Sequence, residues 1–94
     1  MNRITMADLE GAVARLNRIL GRNEVTWGKR ENGTLKANIG NFHLSGAYGG
    51  YQLQEVCNEG GGVHAHTAGY GTKREVYMQV QAMINGVAVA KGDD

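Results

Sequence analysis

The sequence contains no proline and only one cysteine, Cys57. A single cysteine excludes an internal disulfide, so the chain is not a disulfide-stapled secreted scaffold, and a reducing cytoplasm suits it best. Charge of one sign is also scarce: ten basic and nine acidic residues leave a formal net charge of +1. That excludes a broad positive field for capturing nucleic acid or an anionic membrane, and any polyanion partner would need a local patch. No run approaches the roughly 18 apolar residues of a membrane span, and the opening MNRITMADLE lacks the apolar stretch of a signal peptide. A soluble, unprocessed chain is expected.

What is present is an ordinary globular balance, 41% hydrophobic and 20% charged over 94 residues. That supports one domain spanning 1–94, with its core in 4–86 and a tail from 87 that frays unless it joins a sheet edge. Glycine is the anomaly. It supplies 15 residues, about twice its common share of roughly 7%. Eight of them fall between Gly46 and Gly71, in a segment unlike either flank.

Periodicity predicts an α+β fold. Thr5 is placed to cap a helix beginning near Met6, with Asp8 three residues on and Ile4 and Leu9 at the positions of a hydrophobic staple. Leu9, Ala12, Val13, Leu16, Ile19 and Leu20 form one stripe, and Gly21 is a stop. From Glu24 the period becomes two, with a turn at Glu31-Asn32-Gly33, a strand from Thr34 to Ile39, a second turn at Gly40-Asn41 and a strand from Phe42. Tyr51 to Cys57 reads as a fourth strand or a short helix, which periodicity does not decide. Thr72-Lys73-Arg74-Glu75 has the form of a capping box ahead of a helix striped by Val76, Val80, Met83 and Ile84, with Asn85-Gly86 as its stop. The expectation is an N-terminal helix, a three- to four-stranded antiparallel meander and a C-terminal helix, both helices on one face.

The glycine-rich segment is the candidate site. Amides at a helix start lack intrahelical acceptors and sit at the positive end of the dipole, and Lys73 and Arg74 reinforce their pull on an anion. Gly60, Gly61, Gly62 and the glycines before Thr72 would let backbone approach a phosphate, although neither a Walker A nor a GxGxxG spacing is present. Tyr48 and Tyr70 flank glycines, where a ring can stack on a base; Gly49 and Gly50 belong to the same turn. His64 and His66, two apart, share one face of an extended chain. The plainer alternatives are turn glycines, solvated cations and, for Tyr51 with Leu53, core packing.

Other chemistry is weaker. His64 and His66 make one ligand pair without a second near Cys57 or His43, so no metal site is expected. Cys57 has no identifiable base, and Glu55, Glu59 and Glu75 form no acid–base pair. With no catalytic residue to name, a non-enzyme without cofactor is expected. The partner is then a small anionic, nucleotide-like ligand or a host protein held by Trp27 and the tyrosines. The helix-sheet-helix order also suits a double-stranded-RNA-binding module, which the low net charge opposes. So small a chain is expected to self-associate through an edge strand.

The string ANIGNFHLSGAYGGYQLQEVCNEGGGV, followed by TKREVY and a helix ending in MINGV, resembles small proteins encoded by tailed bacteriophages. Their pattern is an ITxxxLE helix, an AN(I/V)GN(F/Y)HLS hairpin, GAYGG and NEGGG loops and a (T/P)KRE helix start, and the resemblance covers residues 4 to 86. The family often has a basic or histidine-containing stretch where this chain has Gln54-Glu55-Val56, so no basic ligand contact is expected there. The resemblance implies an accessory protein of the host bacterial cytoplasm, of the kind that counters host defence by holding a cyclic nucleotide or by binding a protein complex.

Overall fold

The structure, a computed structural model, describes residues 3–66 and 69–90; the rest of the expected tail, 91–94, lies outside the described residues. The fold is α+β. The elements run α1 (Met6–Ile19), β1 (Trp27–Lys29), β2 (Leu35–Ala37), β3 (Phe42–Ala47), β4 (Gly50–Val56), β5 (Val63–Ala65) and α2 (Lys73–Ala90).

Helix α1 begins where the sequence predicts. The Thr5 hydroxyl accepts from the Asp8 amide at 3.1 Å and the Asp8 carboxylate accepts from the Thr5 amide at 3.0 Å, a reciprocal cap. At its end the Gly21 amide donates to Arg18 C=O and the Arg22 amide to Asn17 C=O, the two bonds of a Schellman stop. Helix α2 has the matching start, with Thr72 and Glu75 exchanging bonds of 2.8 and 3.1 Å. It runs through the expected stop at Asn85-Gly86 to Ala90, because Gly86 is exposed and a glycine there costs the helix only about 1 kcal/mol.

All strands pair antiparallel, but they divide into two sheets, β1-β2 and β3-β4-β5. The turn expected at Gly40-Asn41 does not join β2 to β3 as a hairpin. The Asn41 amide group donates to Asn23 C=O and its carbonyl accepts from Thr26 Oγ1, while its backbone C=O accepts from the Val56 amide. Asn41 thus anchors the link between sheets and already belongs to the β3-β4 ladder. Tyr51 to Cys57 resolves as strand, apart from Cys57 itself. Tyr48 (φ 54°) and Gly49 (φ 74°) close the β3-β4 hairpin, and two consecutive positive angles are what a two-residue type I′ loop requires. The stretch after the Gly60-Gly61-Gly62 run adds β5, a strand beyond the three- to four-stranded meander expected.

The register places Phe42, Leu44 and Gly46 on the same face as Glu55, Leu53 and Tyr51. Both helices pack on that face: Leu9, Ala12, Val13 and Leu16 of α1 and Val76, Val80 and Ile84 of α2 form one core with Phe42 and Leu53. One polar side chain sits inside it. Asn17, 1% exposed, accepts from the Phe42 amide at 2.7 Å and donates to Phe42 C=O at 2.9 Å, occupying the outer edge of β3 as a strand residue would.

Gly50 marks the tightest approach of a glycine to neighbouring backbone among the described residues. Residue 71 bridges to Tyr51 by two backbone bonds of 2.8 Å, and a Cβ on Gly50 would lie 2.9 Å from Gly71 O and 3.2 Å from Tyr70. Those are mainly fixed backbone atoms. Gly50→Ala is expected to lower stability by about 1–3 kcal/mol in urea denaturation. Gly86→Ala, in open space on α2, is expected to raise it by about 0.5–1 kcal/mol.

Candidate functional site

The two capped helix starts converge. An open cleft of about 720 Å³ is lined by Arg3 and Ile4 ahead of α1, by Thr72, Lys73 and Arg74 at the start of α2, and by Gly49 and Tyr51 of the β3-β4 hairpin. Among the described residues that line it, three of seven are cationic and none is acidic, in a chain whose net charge is only +1. The positive ends of two helix dipoles add to that local field.

The backbone contributes less than the sequence suggests. The Thr72 amide is taken by the Glu75 carboxylate and the Glu75 amide by the Thr72 hydroxyl; the Gly71 amide is bound to Tyr51 C=O. Backbone and then side-chain hydrogen bonding to Thr72 holds the Glu75 carboxyl below its ordinary range, and the same pair of bonds to Thr5 does so for Asp8. Both capping acids are therefore charged near neutral pH and occupy part of each positive end. Attraction for an anion rests on the Arg3, Lys73 and Arg74 side chains.

The expected site residues fall in several places. Gly49, Thr72, Lys73 and Arg74 line the cleft. Tyr48 and Tyr70 lie beside it as an edge-to-face pair with centroids 5.7 Å apart, Tyr48 being 96% exposed and Tyr70 OH 3.2 Å from Ser45 Oγ; Gly50 packs beneath Tyr70 and Gly71. Gly60, Gly61 and Gly62 belong to the other end of β4, since Cys57 at that end bonds Gly62 and Tyr51 at this end bonds Gly71, whereas His64 pairs with Glu55 and the His66 amide donates to Leu53 C=O between those ends. Strand rise puts those ends about 20 Å apart.

At that far end the glycines serve structure. Asn58 Oδ1 accepts from the amides of both Gly60 and Gly62 at 3.0 Å, and the Trp27 ring lies against Gly61, where a Cβ would come within 2.8 Å of it. His66 bonds Glu55 at 2.9 Å, and the His64 ring stands edge-on to it at 4.9 Å. Among the described residues no cluster of three His, Cys, Asp or Glu side chains is arranged to hold a metal ion.

Sequence reasoning missed Arg3 and Ile4; Tyr51 packs against the core beside Leu53, as its strand position suggests, and lines the cleft as well. A signal for Arg3 existed: both helices begin with Thr-x-x-acid and a cation within two residues of the threonine, Arg3 before Thr5 and Lys73-Arg74 after Thr72. No described helix is long and apolar enough to cross a membrane. No protein-family model, curated protein or solved structure matches the chain.

Proposed function

We propose that the protein is a non-enzymatic binding protein for a phosphate-bearing small molecule, nucleotide-like, held in the cleft between the two helix starts. The observation that carries this is the convergence of Arg3, Lys73 and Arg74 with Tyr51 on one cleft whose described lining holds no acid. The cations bind the phosphates, Tyr51 offers a ring wall, and Tyr48 on the neighbouring turn supplies an exposed second ring. The cleft volume falls in the range typical of small-molecule sites, about 300–1,000 Å³. Taken with the phage resemblance, the ligand class is a host nucleotide signal, cyclic or linear, captured in the bacterial cytoplasm as an anti-defence sponge.

Calorimetric titration with ATP, a cyclic dinucleotide and inorganic phosphate tests this. The wild type is expected to bind at least one, more weakly as salt rises. Lys73→Ala/Arg74→Ala is expected to weaken binding at least about tenfold, since each charge-assisted bond contributes about 1.5–3 kcal/mol. No heat and no melting shift with any of the three overturns the proposal, as does equal binding by the double variant.

A second reading, capture of a host protein, is favoured by the β1-β2 hairpin. Trp27 (46% exposed) and Leu35 (59% exposed) are diagonal neighbours on one face of it, and aromatic anchors dominate protein interfaces. A stoichiometric lysate partner retained by the wild type and lost on Trp27→Ala supports that reading; retention by Trp27→Ala excludes this surface.

A further inference from the structure

We propose that the outer edge of β3 is a homodimer interface, joining two three-stranded sheets into one six-stranded sheet about a twofold axis at Ser45. This stands independently of the ligand. In the order β3-β4-β5, β3 has a strand neighbour on one side only. Asn41 C=O accepts from the Val56 amide, so alternation directs the backbone groups of His43, Ser45 and Ala47 to β4 and those of Phe42, Leu44 and Gly46 outward. Asn17 takes both groups of Phe42, and the Tyr48-Gly49 turn ends the strand. The outward N–H and C=O of Leu44 and Gly46 have no partner among the described residues.

An open edge of this kind is normally blunted by charge, proline, a bulge or short length. The six residues FHLSGA carry no charge and no proline, and their register with β4 is unbroken. The other edge, β5, has only three residues.

The geometry is self-complementary. With Ser45 of one copy opposite Ser45 of the other, each Leu44 exchanges both backbone bonds with the Gly46 across from it, and all four outward donors and acceptors on the two Leu44–Gly46 pairs are used. A register centred on Leu44 would bring Gly46 against Phe42, which Asn17 already occupies. A register centred on Gly46 would bring Leu44 against the turn at Tyr48. The twofold axis stands perpendicular to the sheet, so both helical layers stay on one side. Helix α1 runs beside this edge, with Glu10, Ala14 and Asn17, joined by Glu24 and Thr26 of the segment after it, walling a groove against Leu44. Its neighbouring outward positions, Ala7 and Gly11, are exposed and small, leaving room for the second α1. An extended peptide from another protein would need none of that clearance.

Sedimentation equilibrium of the full chain, with cysteine cross-linking, tests the interface. The wild type is expected to show a dimer mass at high micromolar concentration that dissociates on dilution. Gly46→Pro removes an outward N–H at an edge position that tolerates proline; it is expected to raise the dimer dissociation constant about tenfold or more, with circular dichroism and melting of the monomer unchanged. Ser45→Cys in a Cys57→Ser background, which removes the exposed native thiol, is expected to form a covalent dimer under mild oxidation, because facing residues at that site lie within disulfide reach. Should Ser45→Cys fail to fold, the mass of Gly46→Pro decides. A monomeric wild type at high micromolar concentration overturns the proposal, and so does a dimer that Gly46→Pro leaves intact.

Discussion

Asn17→Ala is expected to remove about 2–4 kcal/mol of folding stability. Asn17 lies on the buried stripe of α1 with Leu9, Val13 and Leu16, where a polar residue is tolerated only if its hydrogen bonds are satisfied. Its carbonyl and amide are matched one-to-one with the Phe42 N–H and C=O. Truncation leaves those two backbone groups beside a void under α1, at about 1–3 kcal/mol for each unsatisfied buried group. Domains of this size shift by about 4–8 °C per kcal/mol, so melting should fall by roughly 10 °C or more. Asn17→Leu separates hydrogen bonding from packing, because leucine fills the volume and serves neither group. It should be destabilised nearly as much as Asn17→Ala. A leucine variant as stable as the wild type would show that Asn17 is merely filling space.

The same residue shows where sequence legibility ends. Helix starts were legible because a capping box is a local event: Thr5 with Asp8 and Thr72 with Glu75 need only three intervening bonds of chain to find each other. The inward stripe of each helix was legible for the same reason. What Asn17 and Asn41 do was not, since their partners at Phe42 and Thr26 stand 25 and 15 residues away. Division of the strands into two sheets hangs on Asn41 and so was hidden too. The cleft was half legible. Lys73 and Arg74 follow from the α2 cap, but Arg3 reaches the same cleft only because the helices pack with their starts together on one sheet face.

The segments that stand out as text turn out to be mostly backbone devices. In Ala37–Ser45, Ala37 is buried and Asn41 anchors the inter-sheet link; in Gly46–Gly50 the Tyr48-Gly49 pair turns the hairpin; in Asn58–Gly62 a single asparagine closes the loop on two amides. Glycine richness there reports close packing at Gly50 and Gly61 more than a phosphate cradle. The Thr72–Arg74 segment, and Gly49 within the hairpin turn, carry both an architectural duty and a place in the cleft.

Glu55→Gln is expected to cost about 1–3 kcal/mol near pH 7, and the cost should vanish in acid. Glu55 stands on the helix-facing side of β4 and joins three distant segments. Its carboxylate accepts from Arg22 just past α1 and from His66 just past β5. Arg22 in turn bonds Gly40 C=O and lies 5.2 Å over the Phe42 ring, and Gln79 of α2 donates to His66 C=O. Burial alone would raise the Glu55 carboxyl, but the hydrogen bonds from His66 and Arg22, with the Arg22 and His66 charges, outweigh it and hold the group below its ordinary value near 4.5. A carboxylate depressed in the folded state stabilises it fully above the unfolded value and loses that contribution as pH falls through the folded one. The wild type should therefore weaken below about pH 4.5 while Glu55→Gln, lacking the charge throughout, starts lower and falls less, so that the two converge. Asp8 and Glu75 shift in the same direction, which leaves the variant a shallower acid limb of its own. Urea midpoints measured across the acid range report the gap directly. A gap that stays constant down to about pH 3 would mean that the Glu55 charge does not hold these segments together.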